Sequence, residues 1–209
     1  MAYSNVGIAN MMLQRIGAKS RLTSLTDGSP NAVVVSTVWD YILDEVIEAV
    51  KPKFATVRAP LTQGTTDPAN TDMYLYEYPL PSDYLCLADD TKDDPAIWPR
   101  PGVEPYVIEA MSDGTMSLMT NYDSTGAQAI YMTYVRRVTD PAKFTPSFIN
   151  AFAFRGAAEL TFSIAPGMGK FEAMMNLYGK ALLKAKGGSR AQDYLEDEKG
   201  SDTWEAAGR

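Results

Sequence analysis

Residues 29–52 read SPNAVVVSTVWDYILDEVIEAVKP, and this stretch sets the class of the fold. Ser29 is a helix-capping residue, Pro30 suits the first helical turn, and Pro52 forbids continuation. Between them Val35, Val38, Trp39, Ile42, Val46, Ala49 and Val50 recur at helical spacing, while Asp40, Asp44, Glu45 and Glu48 take the other side. The segment is an amphipathic helix that packs one face.

Toward the N-terminus, Ser4 to Ile16 reads as another helix, with Ser4 as cap, Ile8, Met11, Met12 and Ile16 on one stripe, and Gly17 closing the end. Residues Ala18 to Gly28 read as a loop. Past Pro52 the helical period is lost until Pro141, and Pro, Gly, Asp, Asn, Thr and Tyr take over. Short strands are expected at Met73–Leu80, Tyr84–Ala88, Tyr106–Ala110, Thr115–Met119 and Ala129–Val138, with clear alternation from Ile130 to Arg136. Thr56 to Asp72 reads as a long exposed loop.

Helices return after Asp140-Pro141. Thr145 caps and Pro146 begins a third, expected to run to about Ile164, with Ile149, Ala153, Ala157, Leu160 and Ile164 on one stripe and Arg155 and Glu159 as an i,i+4 pair. Residues Ala165 to Gly169 form a turn, and a fourth helix is expected from Lys170 to about Lys186, stopped by Gly187-Gly188. From Ser189 to Arg209 the chain carries three basic against six acidic residues, together with Tyr194, Leu195 and Trp204, which have no core of their own. The expected architecture is α+β: an antiparallel bundle of four helices, two N-terminal and two C-terminal, from residues 1–55 and 141–187. An antiparallel β domain is inserted at 56–140, and residues 188–209 form a flexible acidic C-terminal tail.

Composition narrows the chemistry. The 209 residues suffice for a conventional core, and 19 Lys plus Arg against 26 Asp plus Glu leave a net charge of −7. There is no histidine, which excludes Ser-His-Asp and Cys-His hydrolysis, histidine-ligated metal and histidine pH sensing within this chain. The single cysteine, Cys86, excludes an internal disulfide and a CxxC pair. The acidic balance argues against a protein that wraps duplex DNA. Met1 to Asn5 lack a basic signal-peptide start, and Asn150, Arg155 and Glu159 interrupt the apolar run from Phe148 to Ala165, so neither a signal peptide nor a membrane span is expected.

Motifs that imitate catalytic sites fail on their neighbours. Gly167-Met168-Gly169-Lys170 has Ile164 where a phosphate loop needs its first glycine and Phe171 where it needs a hydroxyl. The Asp89, Asp90, Asp93, Asp94 run could hold a hard cation and serve a metal-dependent hydrolase, but Pro95 follows at once and a solvated acidic loop is the better reading. Asp67, Asn70 and Asp72 lack the glycine and glutamate of a calcium loop, and Ser124 is not in a GxSxG elbow. Cys86 reads as a small hydrophobe, and Tyr74-Leu75-Tyr76-Glu77-Tyr78 as a packed strand without interleaved cations. Lys180, Lys184 and Lys186 form one basic stripe, a solvated face or a contact for an acidic partner. As a DNA-packaging surface the stripe would bind in a salt-sensitive way. No enzymatic activity and no cofactor are expected.

The segments Ile8–Gly17 and Leu22–Leu25, then the turn into the long second helix, are similar to the N-terminal pattern of phage head-to-tail adaptor proteins, the tail tubular protein A family. Tyr78–Leu85 resembles the Leu-Pro-x-Asp turn of that family, and Tyr131–Arg136, Val138–Pro141, Phe144–Phe148 and Ala157–Leu160 resemble its C-terminal half. The resemblance implies a structural virion protein without catalytic residues. It would form a dodecameric homo-oligomeric ring beneath the portal protein, join capsid to a downstream tail or nozzle protein, and enclose the channel through which DNA passes without specific binding. Another neck or tail-completion protein is the neighbouring possibility. The location implied is the virion neck or tail, assembled in the host cytoplasm. Lys180, Lys184, Lys186, Tyr194, Leu195 and Trp204 are the expected portal or subunit interface, and Gln63, Thr65 and Asp67 the expected contact with the next tail component.

Overall fold

A computed structural model describes residues 3–64, 74–88, 97–98, 106–124 and 129–190. The chain divides into two compact units, Met1–Phe54 with Thr139–Arg209, and Ala55–Val138.

The first unit holds four helices: α1 (Asn5–Arg15), α2 (Pro30–Val50), α3 (Pro146–Leu160) and α4 (Met168–Arg190). Their starts follow capping chemistry. The Ser4 side chain accepts from Gly7 N–H, Ser29 from Ala32 N–H and Thr145 from Phe148 N–H, with proline opening α2 and α3. At the end of α2, Lys51 adopts the left-handed conformation at φ 49° and its N–H donates to the Ile47 carbonyl, so the chain has turned away before Pro52.

The expected antiparallel four-helix bundle with an inserted β domain is not what the chain builds. α1, α2 and α4 each pack on α3, which serves as a common centre, and α1 does not pair with α2 along its length. Ten residues of α3 are buried: Phe148, Ile149, Ala151, Phe152, Ala153, Arg155, Gly156, Ala157, Ala158 and Leu160. A helix apolar on all sides is an interior helix, whereas a bundle member shows one stripe to its neighbours. Around it Trp39 of α2 meets Phe152 edge to face at 5.0 Å, and Phe54, Phe144 and Phe148 form a ring cluster with centroids 5.0–5.5 Å apart. The Gly187-Gly188 pair does not stop α4, which runs through both to Arg190; there the Ser189 hydroxyl donates to the Lys51 carbonyl at 3.4 Å.

The second unit contains two antiparallel sheets where one β domain was expected. β7 (Tyr131–Arg136) is the centre of the first: β1 (Thr56–Pro60) lies on one side, and β3 (Tyr84–Leu87) and the two-residue β4 (Ile97–Trp98) follow one another along the other. β6 (Met116–Thr120) is the centre of the second, between β2 (Tyr76–Pro79) and β5 (Tyr106–Ala110). The start of the stretch read as a loop is thus a strand, with Pro60 at its last position on the sheet edge, where a missing N–H breaks no ladder bond. Tyr78 and Leu118 from one sheet and Ile97, Met132 and Tyr134 from the other share a buried core with Leu61 and Ile130. The phenol of Tyr78 ties down the end of β6: its hydroxyl donates to the Tyr122 carbonyl and accepts from Ser124 N–H.

Candidate interaction surface

Three side chains fix the helices around α3. Arg15 of α1 donates through Nη1 to the Asn150 carbonyl at 3.0 Å and through Nη2 to Asn150 Oδ1 at 2.6 Å, and its guanidinium lies 3.6 Å from the Phe154 ring centroid. Burial lowers its pKa from the ordinary arginine value. Arg155 of α3 is 8% exposed and donates through Nε to Glu45 Oε1 of α2 at 2.9 Å and through Nη1 to Glu159 Oε2 at 2.8 Å. Burial acts to lower its pKa, but the hydrogen bonds and charges of the two carboxylates outweigh that and raise it. Tyr178 of α4 sits in the same field; burial first, then the Glu45 charge, pushes its phenol above the usual range.

This constellation is structural. It neutralises one buried cation with two carboxylates and joins α2, α3 and α4. The spacing of Arg155 and Glu159 was legible; Glu45, read as part of the solvated side of α2, was missed. The available signal was an arginine set in an otherwise apolar helix, which needs a second carboxylate brought from elsewhere. In the β unit Ser117 donates its hydroxyl to Glu77 Oε1 at 2.9 Å, both residues buried, and Tyr134 donates to Asp83 Oδ1 at 2.9 Å. Burial, followed by the hydrogen bond to Asp83, pushes the Tyr134 phenol up to about 12. Among the described residues no group of three or more His, Cys, Asp or Glu is placed to hold a metal ion.

What α4 turns outward is a mixed strip. Tyr178, Ala181 and Ala185 are buried on its inner side, while Ala173, Leu177, Lys180, Leu183 and Lys184 are exposed at helical spacing. Leu183 is 71% exposed. Of the expected interface residues, Lys180 and Lys184 therefore lie on this strip and Lys186 is half-buried. Near the start of the helix Phe162 is 58% exposed beside Phe171, and Met168 is 68% exposed. Gln63 is half-buried, with a side-chain oxygen lacking a hydrogen-bond partner. Thr65, Asp67, Asp89, Asp90, Asp93, Asp94, Tyr194, Leu195 and Trp204 lie outside the described residues.

No protein-family model and no curated protein matches the chain. Among the described residues no helix is long and apolar enough to cross a membrane.

Proposed function

We propose that the protein is a structural component of a phage neck, a head-to-tail connector whose copies close into a ring beneath the portal, join capsid to tail and enclose the DNA exit channel. The observation that supports this reading most is the outward strip of α4, where Leu177 and Leu183 are exposed on the same helix as the exposed Lys180 and Lys184. Apolar side chains grouped at a surface and rimmed by polar ones mark contact sites, as single scattered ones do not. The ordered series of segments from Ile8 to Leu160 that resembles the adaptor family points the same way. So does the net charge of −7, because an acidic channel wall repels the phosphates of a passing duplex. The resemblance implies twelve copies and a site of action in the virion.

Co-sedimentation with the portal protein of the same phage tests the reading. Retention of the chain on portal rings at physiological salt supports it; a chain that stays in the supernatant at every ratio overturns it.

A further inference from the structure

We infer that the outward strip of α4 is the seat of the chain's own acidic C-terminal segment, residues 191–209, returning along the helix it follows. The docking is intramolecular, so it stands whether or not copies close into a ring. A neighbour that takes the strip in a ring displaces the segment.

The strip offers cations together with apolar side chains. Lys180 and Lys184 are exposed, and among the described residues neither makes a hydrogen bond or ion pair. Leu177 and Leu183, both exposed, flank Lys180 at i−3 and i+3, which makes them its neighbours on the helix surface. Residues 191–209 supply the complement: six acidic residues against Lys199 and Arg209, a net −4, with Tyr194, Leu195 and Trp204 set among them. α4 carries five basic residues and one acidic residue, a net +4. α2, the other long helix of the unit, has no basic residue and offers the segment no cation.

The order of residues fits a return path. Leu183 lies seven residues before Arg190 and Leu177 thirteen, about 10 and 20 Å along the axis at the helical rise. Leu195 follows Arg190 by five residues and Trp204 by fourteen, extended spans of up to about 17 and 46 Å. Leu195 therefore reaches Leu183 and Trp204 reaches Leu177, with chain to spare for the turn. Glu196 to Glu198 fall between those two anchors, as Lys180 falls between the two leucines. Tethering makes a weak contact sufficient: at the roughly millimolar effective concentration of a short tether, a contact with a Kd of about 0.1 mM is made about nine-tenths of the time.

Nuclear magnetic resonance of the full chain tests the docking, with a synthetic peptide of residues 191–209 as the undocked reference. In wild type the Trp204 indole and the amides of residues 194–198 are expected to resonate away from their peptide positions. They should stay there on about tenfold dilution, as an intramolecular contact must. Lys180→Glu with Lys184→Glu is expected to move them to the peptide positions, the docked fraction falling about fivefold or more. Adding Glu196→Lys and Glu198→Lys to that variant restores opposite charges, and the wild-type pattern of shifts is expected to return. Both substituted helix positions are exposed, and circular dichroism checks that each variant keeps wild-type helix content. Wild-type signals at the peptide positions overturn the docking, as do signals that the lysine substitutions leave in place or that the charge exchange fails to restore. Signals that collapse on dilution overturn it in favour of a second copy's segment. None of these outcomes touches the ring reading, which co-sedimentation with the portal decides.

Discussion

Met12 of α1 lies in the space that a side chain at position 156 of α3 would take: a Cβ on Gly156 would collide with the Met12 thioether. Both residues are buried, so α1 reaches the central helix through a notch that only glycine leaves open. Gly156→Val is expected to cost about 1–3 kcal/mol by overpacking, measured by urea unfolding. Gly156→Ala should bring no gain in the wild-type chain, yet stabilise by up to about 1 kcal/mol in a Met12→Ala background, where the helix preference of alanine is no longer offset by the clash.

Arg155 and its two carboxylates give a second expectation. Arg155→Ala leaves two half-buried carboxylates close together without their cation and is expected to destabilise by about 1–3 kcal/mol. Because both carboxylate side chains are about a third exposed, at 34% and 32%, removing either alone costs less, about 1 kcal/mol. A double-mutant cycle between positions 45 and 155, followed by helix unfolding, checks the coupling.

Much of the helical unit was legible because its signals are local. Ser4, Ser29 and Thr145 cap where their side chains reach free N–H groups, and Pro30 and Pro146 open helices at the positions proline tolerates. The arrangement of the helices was not legible from stripes alone: Ile149, Ala153, Ala157 and Leu160 were read as one stripe, whereas Phe148, Ala151, Phe152 and Ala158, off that stripe, are buried as well. Gly187 and Gly188 misled because tertiary anchoring at Ser189 outweighs their weak helix preference of about 1 kcal/mol each. In the β unit, alternation at Ile130–Arg136 found β7, but which strands flank it depends on long-range pairing that no local pattern encodes. For the interaction surface, the lysine stripe could be read from spacing; its pairing with exposed Leu183 required the fold.

The loop before α2 responds to acid. Hydrogen bonds from the Ser29 side chain and N–H, with others from Thr23 and Ser24, hold the Asp27 carboxyl down at about 2. A carboxylate with a depressed folded pKa stabilises the fold above its unfolded pKa of about 3.9, and that contribution fades as pH falls from there through the folded value. NMR titration should show the Asp27 side chain turning over near pH 2, with faster exchange of the Thr23 and Ser29 amides below it. A midpoint near 4 would contradict the hydrogen bonding described.

Alkaline pH acts on Tyr134. Its phenol is held up to about 12 by burial and by Asp83, so the folded state keeps the proton more tightly than the unfolded one. The stabilisation is complete below about pH 10 and declines as pH rises toward 12. Tyr134→Phe should reduce this alkaline decline, leaving the part due to Tyr178, and cost about 1.5–3 kcal/mol at neutral pH through loss of a hydrogen bond to a charged acceptor. Ultraviolet titration at 295 nm combined with unfolding curves at about pH 8 and 11 measures both.

Electron microscopy of the purified chain, alone and mixed with a phage portal protein, bears most directly on the connector reading. The expected result is a closed ring with an open channel, seated coaxially on the portal. Single particles of the size of one chain in both samples, with portal rings bare, would contradict it.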